Sequence, residues 1–174
     1  MPVLRPLRPG DLDALLVVQR EGAVAGLGDI FPQREHPFPT AEIRARWERE
    51  LDDESVDAFA IMLDGELAGF AATRANEFLH FGTAVRTWGS GLAGTAHDEV
   101  LEHLRGQGHR TAWLWVFEEN RRAVRFYAAR GWHATEERIR TTFAPHPVLR
   151  RYERDLQTPN ATGPVKPHDL CGGE

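Results

Sequence analysis

Arg86-Thr87-Trp88-Gly89-Ser90-Gly91-Leu92-Ala93-Gly94 is the stretch on which the reading of this chain turns. It follows an apolar, strand-like run, Phe78 to Val85. It opens a segment from Gly89 to Leu104 in which Leu92, Ala96, Val100, Leu101 and Leu104 recur on one helical face. Glycines at a strand-to-helix turn let the backbone come close to a ligand. The unpaired N–H groups of the first helical turn, with the helix dipole behind them, stabilise a phosphate or pyrophosphate. A plain tight turn uses the same glycines. The spacing Gly89-x-Gly91-x-x-Gly94 also fits a dinucleotide fingerprint, and Glu118 or Glu119 stands roughly 20 residues on, where a ribose-binding acid belongs. The rest of the chain argues against that fit. A dinucleotide fold needs further parallel strands, whereas what remains offers one helix, two strands of antiparallel character and a tail. No Gly-Lys-Ser or Gly-Lys-Thr follows the glycines, which excludes a P-loop.

Upstream, Val3 to Arg8 alternates as a short strand, and Pro9-Gly10-Asp11 ends it and caps a helix reaching about Ala23. Gly26 to Pro39 is a Gly- and Pro-rich loop with Phe31 and Phe38 embedded, of a length that usually carries function. Thr40 caps a second helix to about Leu51, and Asp57 to Leu63 and Glu66 to Arg74 form a hairpin turning at Asp64-Gly65. Downstream, Thr111 to Phe117 is a strand apolar enough to be buried on both faces, which assigns Trp113 and Trp115 to the core. Asn120 precedes a helix over Arg121 to Arg130 that Gly131 closes; Trp132 to Phe143 and Leu149 to Leu156 complete a mixed sheet. These elements predict one domain over residues 1–157 and a disordered tail over 158–174.

The composition supports an ordinary folded domain: 174 residues, 41% of them hydrophobic and 27% charged. The net charge of −5 argues against a nucleic-acid partner and suits a neutral or cationic small one. Cys171 is the single cysteine, so a disulfide framework is impossible and a reducing, cytoplasmic setting is expected. No apolar run is long enough to span a membrane, and the stretch Met1 to Arg8 lacks the apolar run of a secretory signal, so none is expected. His97, His103 and His109 lack ligand spacing and no His-Glu-x-x-His occurs, so no metal is expected.

The order Arg86-x-x-Gly89-x-Gly91, then helix, strand and Asn120-x-x-Ala123-x-x-Phe126-Tyr127-x-x-x-Gly131-Trp132, resembles the GNAT superfamily of acyl-CoA-dependent N-acetyltransferases. The resemblance runs from Val3 to about Leu156, with Trp88 and Thr83 departing from the family's usual residues. It implies an α+β fold in three α/β/α layers, with a mixed, mostly antiparallel sheet holding a central parallel strand pair. It also implies an acyltransferase that uses acetyl-CoA as co-substrate and passes the acetyl group to an amine of a small molecule or protein. The amine attacks directly in a ternary complex, without a covalent enzyme intermediate. A homodimer is compatible with such a domain. A non-catalytic acyl-CoA-binding module is the alternative from another functional class.

By the same resemblance, Arg86, Thr87, Trp88, Gly89, Ser90, Gly91 and Leu92 hold the CoA pyrophosphate, mainly through the N–H groups of Gly89, Ser90 and Gly91. Leu79 and Phe81 lie on the strand that meets the pantetheine arm and polarises the thioester carbonyl. Asn120 reaches that arm and caps the next helix. Tyr127 is the acid that protonates the departing thiolate, and it also borders the cofactor site. For the base, Glu77 is the first candidate because it shares strand parity with Leu79 and Phe81. His80 has the opposite parity and reads as structural, while Glu118 and Glu119 remain alternatives. Arg121, Arg122 and Arg125 form a solvated basic face able to meet the adenosine 3′-phosphate. The acceptor groove is expected between Gly26 to Thr40 and Phe143 to Leu149, with Asp29, Glu35, Phe31, Phe38 and Phe143 as its contacts.

Overall fold

Small apolar residues alternating along Glu66–Arg74 make this strand, β3, the centre of the sheet. Phe70 and Ala72 face Leu12, Leu15, Leu16, Ile43 and Trp47 on one side, and Ala71 faces Val100, Leu101 and Leu114 on the other. β2 (Val56–Leu63) returns antiparallel through Asp64 and Gly65, whose φ angles of 51° and 80° are the left-handed pair a two-residue hairpin requires. Around this pair lie β1 (Leu4–Pro6), β4 (Glu77–Thr83), β5 (Thr111–Phe117), β6 (His133–Arg140) and β7 (Val148–Asp155) in the order β1-β2-β3-β4-β5-β7-β6. Only β4 and β5 run parallel. The helices α1 (Leu12–Gly26) and α2 (Thr40–Asp52) cover one face, while α3 (Leu92–Gly106) and α4 (Arg121–Ala128) cover the other. The result is the expected three-layer α+β architecture. The computed structural model describes residues 1–159, so Cys171 and all but Thr158 and Pro159 of the expected tail lie outside the described residues. Among those residues no helix is long and apolar enough to cross a membrane.

Several local expectations are corrected. Asp11 does not cap α1 with its side chain; its carboxylate accepts from the Arg8 N–H at 2.8 Å and pairs with the Arg5 guanidinium. Thr40 is the first helical residue of α2, and Pro39 takes the cap position. α3 starts at Leu92 rather than Gly89, because Gly89 and Gly91 hold φ of 81° and 91°, outside the helical range. β5 buries Ala112, Leu114 and Val116 but leaves Trp113 and Trp115 half-buried, since α1 and α2 pack over β2, β3 and β4 and stop short of β5.

Two irregularities shape the site. The β3–β4 register passes from Thr73↔Phe78 to Ala72↔His80, which makes Leu79 a bulge residue. Leu79 and His80 therefore both turn toward the α1/α2 layer, while Phe78 and Phe81 turn toward α3 and α4. Glu77 and Phe81 do not share a face, and the parity on which Glu77 was chosen fails at this bulge. The second irregularity is the β4–β5 pair, which is made only at Glu77↔Trp113, beside a Trp113 N–H to Asn76 carbonyl bond of 3.2 Å. Beyond that point the strands diverge and leave a V open at their C-terminal ends.

Candidate active site

A cavity of about 970 Å³ occupies the V and passes through the sheet layer, from the α1–α2 loop on one side to the start of α3 and the face of α4 on the other. Leu79, His80, Phe81, Leu114, Trp115 and Val116 line its waist.

Of the expected loop Arg86 to Leu92, Trp88 alone lines the cavity; next to it, the backbone N–H groups of Gly89, Gly91, Ala93 and Gly94 have no partner in the described part of the chain, and they sit at the positive end of the helix dipole. The Ser90 N–H is taken by the Thr87 carbonyl at 3.0 Å and the Leu92 N–H by Ser90 Oγ at 3.3 Å, which corrects the expected donor set. Thr87 and Leu92 are buried, Thr87 bonding the Ala84 carbonyl and Leu92 packing in the core, so their side chains shape the loop from behind. Arg86 is turned outward to Glu66 at 3.4 Å. The cations come from α4 and the residues after it. Arg122 stacks over the Trp88 ring at 3.5 Å and Arg130 over Phe126 at 3.9 Å; Arg125 also lines the cavity. Arg130 lies so close to α3 that a Cβ added at Gly94 would stand 2.8 Å from its Nη2. Unpaired amides on a helix start, flanked by guanidiniums, fit a pyrophosphate and a further phosphate. Trp88, anchored by its Nε1 to the Thr83 carbonyl at 3.1 Å, forms the wall between them and Gly26.

Tyr127 projects from α4 into the same cavity and is 9% exposed. Its hydroxyl has no partner among the described residues, and burial raises its pKa above the ordinary tyrosine value, so it holds its proton at neutral pH. Asn120 accepts the Ala123 N–H at 3.2 Å as the cap of α4 and lines the cavity as well.

On the opposite wall His80 meets Glu50 of α2, with Nε2 at 2.8 and 3.0 Å from the two carboxylate oxygens. That geometry assigns the Nε2 proton to the Glu50 bond and leaves Nδ1 as an acceptor. The ring is wedged against Trp47 at 4.9 Å, and the Trp47 indole N–H is fixed in turn by Gln19 Oε1 at 2.9 Å. Burial lowers the His80 pKa and outweighs the raising effect of Glu50, so the imidazole is neutral at physiological pH. Burial pushes Glu50 upward, but the His80 hydrogen bond and the Arg46 and Arg74 charges bring it net below the ordinary range. Glu77 lies outside the cavity lining, half-buried, with burial holding its pKa above the usual value. Glu118 is tied to Arg138 at 2.9 Å, and Glu119 is exposed. Among the described residues no three His, Cys, Asp or Glu side chains gather into a metal set.

The sequence pattern of the Acetyltransferase (GNAT) family matches residues 23–132, more than half of the chain. The chain belongs to the GNAT family. A mycothiol acetyltransferase from Streptomyces coelicolor is 35% identical over 109 residues, 54% of this chain; the chain spans only 35% of that relative's length. Among solved GNAT structures, a GCN5-related N-acetyltransferase from Rhodopseudomonas palustris superposes with a TM-score of 0.73 at 18% identity, covering 89% of this chain and 96% of its own. The ribosomal-protein-S18-alanine N-acetyltransferase of Escherichia coli gives 0.67 at 18% identity, covering 95% and 99%. The Vibrio cholerae spermidine N-acetyltransferase bound to CoA and spermine gives 0.66 at 18%, covering 88% and 95%. At such identities the agreement is one of fold.

In this GNAT chain the cavity gathers Trp88, Leu79, Phe81, Asn120 and Tyr127 from the expected set, and Glu35, Phe31, Phe38 and Phe143 from the expected acceptor groove, but not Asp29. Sequence reasoning missed the His80–Glu50 pair, Arg46 and Glu42 on α2, Trp115, and Arg130. His80 was hidden by the bulge. The spacing of Arg46 and Glu50, i and i+4 with Trp47 between, was the available signal for a polar pair beside a buried face.

Proposed function

We propose that the protein is an acetyl-CoA-dependent N-acetyltransferase that acetylates an amine by direct attack in a ternary complex. One observation carries this reading: the V between β4 and β5 has a neutral imidazole braced by a carboxylate on one wall and an unpaired, protonated phenol on the other.

Acetyl-CoA supplies the activated acetyl thioester. The N–H groups of Gly89, Gly91, Ala93 and Gly94, with Arg122, Arg125 and Arg130, hold its phosphates, and the unpaired edge of β4 around Leu79 lies where backbone N–H groups meet an amide-bearing arm and stabilise oxyanion charge. His80 Nδ1 accepts a proton from the amine, and Glu50 stabilises the imidazolium so formed. As the amine nitrogen bonds to the acetyl carbon, the carbon–sulfur bond breaks and Tyr127 gives its proton to the departing sulfur. His80 replaces Glu77 as the proposed base because it alone of the two reaches the cavity.

Thermal unfolding with acetyl-CoA and, separately, with NAD tests the binding half. Acetyl-CoA at about 100 times its Kd adds about 2.7 kcal/mol of stability, and NAD adds none. CoA release across an amine panel tests the transfer half. Protection by NAD alone overturns the proposal, and acetyl-CoA binding without CoA release from any amine makes the protein a binding module.

A further inference from the structure

Arg46 of α2 lines the same cavity, as do Ile43 and Phe38. Its nearest anion is Glu50, but both Glu50 oxygens lie closer to His80, at 2.8 and 3.0 Å, and the Arg46 Nε–Glu50 distance is 4.0 Å. Arg46 Nε is buried and has no hydrogen-bond partner. It is the one buried side-chain polar atom in that condition among the described residues. The Arg46 side chain is 28% exposed, but its Nε is shut off from water with its donor unused, which is costly unless a ligand supplies the acceptor, and the planar guanidinium fork matches a carboxylate. The Glu50 carboxylate thus has the imidazole close on its oxygens and the guanidinium near one of them.

We infer that the acceptor is an α-amino acid, its carboxylate taken by Arg46 while its amine lies at His80 Nδ1. Arg46 and His80 line one cavity and both approach Glu50, so a carboxylate on the one and an amine beside the other belong to a single small molecule. The inference rests on the transferase reading above. Phe31, Phe38 and Phe143 leave the amino-acid side chain an apolar wall.

The test compares, for each common L-amino acid, the acid, its carboxamide and its decarboxylated amine as acceptors in a CoA-release assay. For the preferred side chain, kcat/KM of the acid exceeds that of both analogues by about 10- to 100-fold. The ratio collapses toward one in Arg46→Met and is partly retained in Arg46→Lys. A parallel readout needs no turnover: the same acid raises the unfolding temperature of the CoA-bound wild-type protein and its decarboxylated amine does not. Equal kcat/KM for all three forms overturns the inference. So does an amide that matches the acid, which would mark recognition of a carbonyl, as at a peptide terminus. An undiminished ratio in Arg46→Met has the same force. If acetyl-CoA binds but nothing releases CoA, the transferase reading fails, and the unfolding comparison still decides whether Arg46 selects a carboxylate.

Discussion

Lowering the pH from about 7.5 to 4 will destabilise the fold through one buried imidazole. His97 is 1% exposed on the core face of α3, its Nε2 accepting the Trp132 indole N–H at 2.9 Å and its Nδ1 facing Asp98 at 2.9 Å. Burial is the main force lowering its pKa from 6.5 to about 4; Asp98 opposes this, and Arg130 and Arg154 add to it. The unfolded chain therefore takes up a proton near pH 6.5 that the folded chain refuses until about pH 4, so stability present above 6.5 is lost as the pH falls. Integrating over that interval gives a loss of roughly 1.4 kcal/mol at pH 5.5 and about 3 kcal/mol at pH 4. His97→Gln keeps an oxygen for the Trp132 N–H and cannot become charged. Urea unfolding of both proteins at about pH 7.5, 5.5 and 4 isolates the effect, because every ionisable group except His97 is common to the two. The variant begins less stable by about 1–2 kcal/mol from altered packing, and the wild-type advantage shrinks by about 3 kcal/mol across the range. Parallel curves would refute the burial argument.

Tyr127→Phe lowers kcat by roughly 10²- to 10⁴-fold and leaves the Kd for acetyl-CoA unchanged, as stopped-flow turnover and calorimetry would show; unchanged kcat removes the phenol from the chemistry. Because His80 must be neutral to accept a proton and its pKa is lowered by burial, the acid limb of the kcat profile lies below the ordinary histidine value of 6.5. Glu50→Gln moves that limb to still lower pH and reduces kcat at least tenfold, since the imidazolium loses its counter-charge; a limb that stays in place excludes the pair. Gly91→Val forces a branched residue into a φ of 91°, costs about 1–2 kcal/mol of stability and weakens acetyl-CoA binding, whereas wild-type affinity would displace the phosphate site from this loop.

The hairpin at Asp64-Gly65, the extent of β3 and β5 and the buried stripe of α3 were legible because each rests on local periodicity or turn chemistry. The loop glycines and Asn120 were legible for the same reason: left-handed φ and a helix cap are properties of short segments. What escaped depends on register. Alternation along β4 assigns Leu79 and His80 to opposite faces, and only the pairing with β3 reveals the extra residue that puts them on one face. Glu50 and His80 are 30 positions apart, so nothing in either neighbourhood announces the other. Trp113 and Trp115 were misread because an apolar strand looks the same whether one helix layer covers it or two.

The divergence of β4 and β5 also bears on which of the sheet's strand edges another chain can reach. Unpaired strand edges at the rim of a sheet invite another strand and, with it, fibrils. Here two such edges face each other in the middle of the sheet, walled by the α1–α2 loop on one side and by α4 on the other. Another polypeptide would have to thread between those walls to reach them. Those two inner edges are withheld from a neighbouring protein, while the outer edges of β1 and β6 at the rims are not.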